Sequence, residues 1–480
     1  MNMWIYLSAN GKLPTGGPVI LQPSTFKLKP SRCNRRPPMG FSPAPPRHER
    51  AGERRLRFRR SEQGSALLIT LVMGLLFGML LMYFYLPLVN NQRISVVRSQ
   101  AWNASLALAE AGAEEALAQM NPGAAPTGVD LTANGWGPPS SAGFYGPVSR
   151  SLTDGSYQVA YSSTLPPTIY ATGYVSVPFL SATLTRAISV TTSNLPLYSA
   201  ALVGINSIQL NGSGVETDSF NSANTNLSTN GQYDPAKAST NGSVASVNGP
   251  VNLGNHTISG TLDLGPTAPF TSTTGQVSGG ILTNFNPTFD DVVYPAHVSF
   301  VPPAAPLVAF NYTTNGAAYN YAFLASGDYQ ISSLNGTTYV APGANVRLQI
   351  TTSSSPTLIL VDGTGTGPTA GHLTIYMAGT SFNLAGGTFA NGGNALNLTY
   401  YGMPSNTSIK FNGNAAFIGT VYAPEANVTI TGGGSSAFNF VGALIANSVV
   451  MNGHFLFHFD EDLLTAGPSR GFVATSWQEL

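Results

Sequence analysis

Charged residues are scarce in this sequence. Asp, Glu, Lys and Arg make up 9% of the 480 residues, against roughly 25% in an average protein. The charges are also unevenly placed, because 13 of the 21 Lys and Arg residues, but only three of the 21 acidic residues, precede Ser65. The segment before Ser65 therefore carries a formal charge of +10 and the remainder −10. A body of this charge lacks the basic surface that nucleic acids require, so we expect no nucleic-acid partner.

Reactive side chains are sparse as well. The single cysteine, Cys33, precedes Ser65, which excludes disulfides, thiolate metal sites and cysteine nucleophiles from the later chain. Between Tyr198 and Leu463 the Lys and Arg residues are Lys237, Arg347 and Lys410, and His256, His297 and His372 are isolated. Lyase chemistry needs a base and cationic groups close together, and the sequence has no GxSxG elbow or phosphate-binding loop. We predict a protein that is not an enzyme and has no cofactor.

One long run lacks charge altogether, since Ser65 to Val89 contains no Asp, Glu, Lys or Arg. A helix rises about 1.5 Å per residue, so this run exceeds the roughly 30 Å hydrocarbon core of a bilayer. We predict a transmembrane helix at 65–89. An arginine cluster directly before it, which ends in Arg59 and Arg60, predicts a cytoplasmic N-terminus and a translocated body.

The junction between basic leader and apolar run has a recognisable form. The stretch RRSEQGSALLITLVMGLLFGMLL, followed by SQAWNASLALAEAGAEEAL, resembles the prepilin leader and N-terminal helix of PilX-type minor pilins. The resemblance implies that a prepilin peptidase cuts after Gly64 and that Ser65 becomes the N-methylated terminus. It also implies other pilins or pseudopilins as partners. The family usually has a glutamate five residues into the mature chain, where this sequence has Ile69, and this difference fits a minor subunit. The alternative to a processed pilin is a plain membrane anchor that is never cleaved.

Three residues within the apolar run bear on helix packing. Gly74 and Gly78 form a GxxxG pair, which allows close approach of membrane helices, and Pro87 predicts a kink. Beyond Asn90, apolar residues at spacings of three and four predict that the helix continues to 121. Its stripe consists of Ile94, Val97, Ala101, Ala104, Leu108 and Ala111. Neighbouring helices of a filament and the protein's own head domain are equally suitable partners for it.

Composition divides the rest of the chain. Residues 1–64 read as a disordered leader, and Met39 is an alternative start. Residues 122–197 alternate as short strands in GSYQVAYSS, TIYATGYVSV and SATLTRAISVTTS, which predicts a small pilin-like β-sheet. We assign 198–463 to a repetitive β domain and 464–480 to a C-terminal tail.

Repeats of about 20 residues define the fold of 198–463. SIKFNG, NVTITG and SVVMNG begin at 408, 427 and 448, and SIQLNG and SFNLAG at 207 and 381 are further copies. Short strands at a nearly constant period, with Asn-Gly corners, predict a β-solenoid whose coils stack their apolar positions. A β-sandwich is the competing fold. The fold class is thus mainly β, with a long N-terminal transmembrane helix, a small sheet and a solenoid. VETDSFNS, HFLFHFDEDL and RGFVATSWQEL resemble the β-solenoid domain of undefined function behind PilX-type N-termini.

The densest group of potential metal ligands comprises His454, His458, Asp460, Glu461 and Asp462. Residues four apart on a strand are roughly 13 Å from each other, too far to share a metal ion. We therefore predict no metal site and interpret HFLFHFDED as a cap on the open end of the solenoid. The adjacent acids Asp290 and Asp291 are expected in a loop or turn.

Together these features favour a minor pilin or pseudopilin-like subunit of a type IV pilus or a type II secretion-like filament. The protein would be anchored in the bacterial inner membrane and display its solenoid outside the cytoplasm. A membrane-anchored or pilus-tip adhesin that binds glycans or surfaces is the alternative. A solenoid polysaccharide lyase or hydrolase is the third reading, because the fold permits one.

Overall fold

A computed structural model of the chain describes residues 63–121, 135–178, 181–211, 214–295, 298–314, 316–363, 370–385, 387–390, 394–413, 416–432 and 438–480. The leader, for which the sequence predicts disorder, lies outside the described residues. Arg59, Arg60 and His297 lie outside them as well. The predicted fold class is confirmed, since a long helix precedes a small sheet and a β-solenoid. The chain divides into two units, Met1–Leu80 and Leu81–Leu480.

Helix α1 spans Gln63–Met120 and continues through Pro87. Within the described residues, it is the one helix long and apolar enough to cross a membrane. Its side chains from Leu67 to Leu88 are exposed, with Leu67 at 70% and Tyr83 at 74%. Large apolar side chains at this exposure are costly in water, so this stretch needs an apolar environment.

Five antiparallel strands form the small sheet, in the order β1-β2-β3-β4-β28. Their bounds are β1 Phe144–Leu152, β2 Gly155–Ser162, β3 Thr168–Val177, β4 Ala182–Pro196 and β28 Ser469–Glu479. The three predicted strands correspond to β2, β3 and β4. The tail that the sequence separated from the solenoid pairs with β4 along most of its length, with Trp477 opposite Val190.

The second half of α1 packs on this sheet, which gives the predicted apolar stripe a partner within the chain. Ala101 and Leu108 are buried in a core shared with Val159, Ile169 and Ile188. Two glycines on the sheet make this approach possible, because a Cβ at Gly173 would overlap the Ser105 carbonyl oxygen and one at Gly155 would lie 2.7 Å from Leu108 Cδ1.

The first part of the solenoid follows the small sheet in the chain and consists of strands β5 to β13. These strands are β5 Leu202–Leu210, β6 Glu216–Phe220, β7 Val244–Ser246, β8 Val251–Gly254, β9 Thr257–Ile258, β10 Leu262–Leu264, β11 Phe270–Ser272, β12 Gln276–Val277 and β13 Ile281–Leu282. An insertion at 221–241, with a short 3-10 helix at Pro235–Lys237, separates β6 from β7.

The second part consists of strands β14 to β27, and its last two strands pair with β5 and β6 of the first part. These strands are β14 Val308–Thr314, β15 Ala317–Phe323, β16 Gly327–Ile331, β17 Asn335–Val340, β18 Asn345–Ile350, β19 Ser355–Val361, β20 His372–Met377, β21 Ser381–Leu384, β22 Gly387–Ala390, β23 Leu398–Gly402, β24 Ser408–Gly413, β25 Phe417–Gly432, β26 Phe438–Gly453 and β27 Phe455–Asp460. Short 3-10 helices lie at Ala395–Asn397 and Glu461–Leu464. Strand β14 pairs antiparallel with β15 at the far end of this part.

Parallel pairing between coils produces three faces, which we name A, B and C. Face A contains β6, β9, β12, β15, β17, β19, β22, β27 and the first segments of β25 and β26. Face B contains β7, β10, β13, β16, β18, β20, β23, the first segment of β5 and the middle segments of β25 and β26. Face C contains β8, β11, β21, β24 and the last segments of β5, β25 and β26.

The five repeat copies stack in register on face C. Ser381 pairs with Ser408, Ser408 with Asn427, Asn427 with Ser448, and Ser448 with Ser207. The apolar positions of three of these copies point inward and are at most 2% exposed; they are Ile409, Phe411, Val428, Ile430, Val449 and Met451. A solenoid, and not a sandwich, follows because the strands from β5 to β13 and from β15 to β27 pair parallel with their equivalents one coil away.

The first and last solenoid strands meet in the middle of the stack. Strand β26 pairs with β5, while β27 lies between β26 and β6 on face A. The coil that begins with β27 is therefore completed by β5, which comes from the start of the solenoid sequence. The prediction that HFLFHFDED caps an open end is wrong, because this segment is an interior strand with a paired neighbour on each side.

A nonrepetitive segment, here called the strap (residues 283–295 and 298–307), connects the two parts along face B. Phe285 N donates to Leu264 O at one end, and Val301 bridges to Tyr329 at the other. Between them, Tyr422 donates to Asp290 O at 2.7 Å and Gln349 donates to Tyr294 Oη at 2.7 Å. Asp290 and Asp291 thus lie in an irregular segment, as expected for loop residues.

Candidate functional site

The predicted processing site lies where α1 begins. Gln63 is the first helical residue, so Gly64 and Ser65 already belong to the first turn of α1. The apolar side chains that follow from Leu67 onward are exposed. A junction of this kind places the bond between Gly64 and Ser65 in the first turn of a helix suited to a membrane. The assignment of Gly64, Ser65, Arg59 and Arg60 to processing remains a prediction.

The two helix-packing glycines present bare backbone. A Cβ added to Gly74 or Gly78 would meet no described atom within 4 Å. Such a surface is available to another helix, which is the use that small residues have in membranes. Further along α1, Val97, Ala101 and Ala104 line a groove of about 760 Å³ between the helix and the turns that follow β1 and β3.

His458 is the centre of a polar cluster on face A. Its Nδ1 lies 2.5 Å from Asp218 Oδ1 and its Nε2 lies 3.1 Å from Asn439 Oδ1. The imidazole ring stacks on Tyr233 with centroids 3.6 Å apart, and Tyr233 donates to Asp218 Oδ2 at 2.6 Å. Burial, followed by this hydrogen bond, raises the pKa of Tyr233 well above its usual value. The cluster fastens the insertion at 221–241 to the solenoid.

The neighbouring acids have the same structural use. Asp460 is fully buried, and its Oδ1 accepts from the backbone N–H groups of Ser222 at 3.0 Å and Asp462 at 3.2 Å. Glu461 Oε1 accepts from Ser219 Oγ at 2.7 Å and Asn241 Nδ2 at 2.9 Å. These bonds hold both ends of the insertion.

The five candidate metal ligands therefore do not converge. His454 lies beside Gly214, where an added Cβ would be 2.9 Å from its Nε2, whereas His458 bonds to Asp218. Across the described ranges, no three His, Cys, Asp or Glu side chains are grouped closely enough to hold a metal ion. Sequence reasoning missed Asp218, Tyr233 and Asn439 as partners of His458. VETDSFNS contains Asp218, but nothing local indicates that its partner lies near the opposite end of the solenoid sequence.

A cavity of about 380 Å³ opens beside this cluster. Its wall combines Tyr233 and Pro235 of the insertion with apolar side chains of face A, among them Ile418, Val441 and Leu456. His458 and Asn439 also reach this wall, but they face each other through the hydrogen bond given above. The cavity thus forms part of the contact between insertion and solenoid.

Asp460→Asn should increase stability at neutral pH. Burial raises the pKa of Asp460 and outweighs the opposing effect of the hydrogen bonds that its carboxylate accepts from Ser222 and Asp462. The folded chain therefore retains a proton where the unfolded chain has lost it, so this group's contribution is present below the unfolded pKa and is lost as pH rises through the folded pKa. We expect the melting temperature to fall less between about pH 4 and about pH 7 in the variant than in wild type. Parallel pH profiles for wild type, Asp460→Asn and the exposed control Asp154→Asn would contradict this.

Comparisons with known proteins give limited matches. A family model described as a domain of unknown function (DUF7305) matches residues 335–466, which run from β17 to the 3-10 helix after β27. No curated protein matches the chain. Among solved structures, the competence-associated pilin ComZ from Thermus thermophilus is similar at 10% identity, over 79% of this chain and 97% of that one, with a TM-score of 0.25. A score this low does not establish a shared fold.

Proposed function

We propose that this chain is a minor pilin or pseudopilin-like subunit of a type IV pilus or a type II secretion-like filament. In this proposal a prepilin peptidase cuts after Gly64, and residues 65–89 anchor the product in the bacterial inner membrane. The small sheet and the solenoid are then displayed outside the cytoplasm. The observation that carries the proposal is the run of exposed apolar side chains in α1, which follows directly after the glycine that ends the basic leader.

The structure of α1 supports assembly through this helix. Its first part offers exposed apolar side chains and the bare Gly74 and Gly78 backbone, whereas its second part is occupied by the small sheet. A helix divided in this way can pack against neighbouring pilins through one part and carry its own head on the other. Ile69 in place of the usual glutamate favours a minor position, because no carboxylate is available to pair with a neighbouring terminal amine.

Processing provides the direct test. In a bacterium that makes a prepilin peptidase, mass spectrometry of the membrane fraction should find a mature chain that begins at Ser65. Gly64→Arg should abolish this product, because a large cation replaces the small residue at the cleavage position. Gly78→Ala is the matched control: it alters a glycine of the same helix but leaves the junction intact, so cleavage should persist. An uncleaved wild-type chain in the membrane would replace this proposal with a plain single-pass anchor.

Adhesion is the second candidate. Face C favours it, because the strap and the insertion lie on the other two faces and the outward side chains of face C are almost all uncharged. A tip subunit with such a face would combine both roles.

A further inference from the structure

Face C carries an ordered array of small polar side chains. Each of its strands points alternate residues outward, and equivalent residues of successive coils form columns about 4.8 Å apart. The central column consists of Asn383, Lys410, Thr429, Val450, Gln209 and Asn252. With Thr271 opposite Asn252, this column crosses seven coils, or about 29 Å.

Hydrogen bonds between coils hold the flanking side chains in place. Asn412 donates to Asn383 at 2.6 Å and Ser448 donates to Asn427 Oδ1 at 2.6 Å. At the corner with face B, an asparagine ladder runs through Asn248, Asn206, Asn447 and Asn427, with successive contacts of 3.3, 2.6 and 2.9 Å. Side chains fixed in this way lose little conformational entropy when they bind a partner.

The chemistry of the face excludes several classes of partner. Lys410 is the one charged residue of the central column, and Glu425 lies outside it at the corner with face B. Charged polymers and anionic membranes bind through clustered opposite charges, which this array lacks. Stable protein interfaces have an apolar or aromatic centre, whereas Val450 is the single apolar residue of the column.

We propose that face C is a docking surface for a neutral, hydroxyl-rich polysaccharide in ordered, insoluble form. Amide and hydroxyl side chains both donate and accept hydrogen bonds, as sugar hydroxyls do. An ordered polymer repeats its hydroxyl groups along its length, so it meets several coils at once and gains avidity from many weak contacts. The inference rests on the proposed function in one respect, since the solenoid must be displayed outside the cytoplasm to meet such a polymer.

Co-sedimentation of the full chain, purified in detergent, tests this surface. Wild type should sediment with microcrystalline cellulose or chitin and should bind insoluble carboxymethyl cellulose no better. Gln209→Glu and Asn252→Asp, each nearly isosteric and at an exposed position of the central column, should each weaken binding about tenfold, because a carboxylate loses water without gaining a counter-charge. Gln276→Glu, an exposed position on face A, is the matched control and should bind as wild type does.

The outcomes separate the two proposals. Failure of wild type to bind either neutral polymer, preference for the anionic one, or equal loss in the face A control would overturn the docking surface. A chain that is cut at Ser65 but does not bind would leave the pilin proposal standing without this surface. A chain that binds the polymer but is never cut would support the docking surface and overturn the pilin proposal.

Discussion

Ending the chain at His454 should abolish the cooperative unfolding of the solenoid. The truncation removes β27, which shares a coil with β5 and pairs with both β26 and β6. Phe455, Phe457 and Phe459 of this strand are each 1% exposed, and Phe457 stacks on Phe440 at 4.3 Å. Loss of one such ring to alanine costs about 3–5 kcal/mol, so three rings together match the roughly 5–15 kcal/mol that stabilises a typical domain.

Circular dichroism melting and limited proteolysis of the detergent-solubilised protein would measure this effect. The control is a chain that ends at Pro468, which retains β27 and the following 3-10 helix but lacks β28. Its solenoid should keep a cooperative transition, because β28 pairs with β4 of the small sheet and not with the solenoid. An unchanged transition in the shorter chain would show that the two parts of the solenoid do not need the shared coil.

Gly173→Val should separate α1 from the small sheet. The valine Cβ would overlap the carbonyl oxygen of Ser105 and lie 2.8 Å from the amide nitrogen of Ala109, both of which are helix backbone atoms. Overpacking usually costs about 1–3 kcal/mol, and more where the obstacle cannot move aside. We expect the substitution to lower the stability of this module by more than this range, because the whole helix has to shift.

Tryptophan fluorescence isolates this module from the solenoid. Of the four tryptophans, Trp4 lies in the leader, and the other three, Trp102, Trp136 and Trp477, belong to α1, the segment before β1 and β28. No tryptophan occurs between 198 and 463. The fluorescence transition should therefore move to lower temperature in Gly173→Val, while the solenoid transition measured by circular dichroism stays in place. Thr172→Val, the preceding residue of β3, is the matched control and should leave both transitions unchanged. Equal behaviour of the two variants would contradict the close helix approach at Gly173.

The stacking of face C was predictable because its information is local. Copies such as SIKFNG and NVTITG repeat at nearly constant intervals, and parallel coils place equal positions above one another. Even SIQLNG at 207 was identified as a copy. Ser207 pairs with Ser448, however, which lies near the other end of the solenoid sequence, and no period relates the two.

The partners of buried polar groups were not predictable. HFLFHFDED shows aromatic and charged residues in strand alternation, which fits an end cap as well as an interior strand. The contacts of Asp218 and Tyr233 with His458 belong to an interior strand and not to an end cap. These two residues lie near the start of the solenoid sequence, far from His458 along the chain. Side-chain chemistry indicates that such groups need partners, but not which ones.

The sequence by itself determined the long apolar helix after Gly64, the alternation of the small sheet and the solenoid period, since each depends on residue types at short spacings. Only the tertiary structure decided that the chain enters the solenoid in mid-stack, that the strap covers face B, and that β28 returns to β4. The physical reason is that burial of an apolar side chain is nondirectional. A repeated pattern specifies that a coil needs a neighbour, whereas the choice of neighbour depends on how the whole chain closes its exposed strand edges.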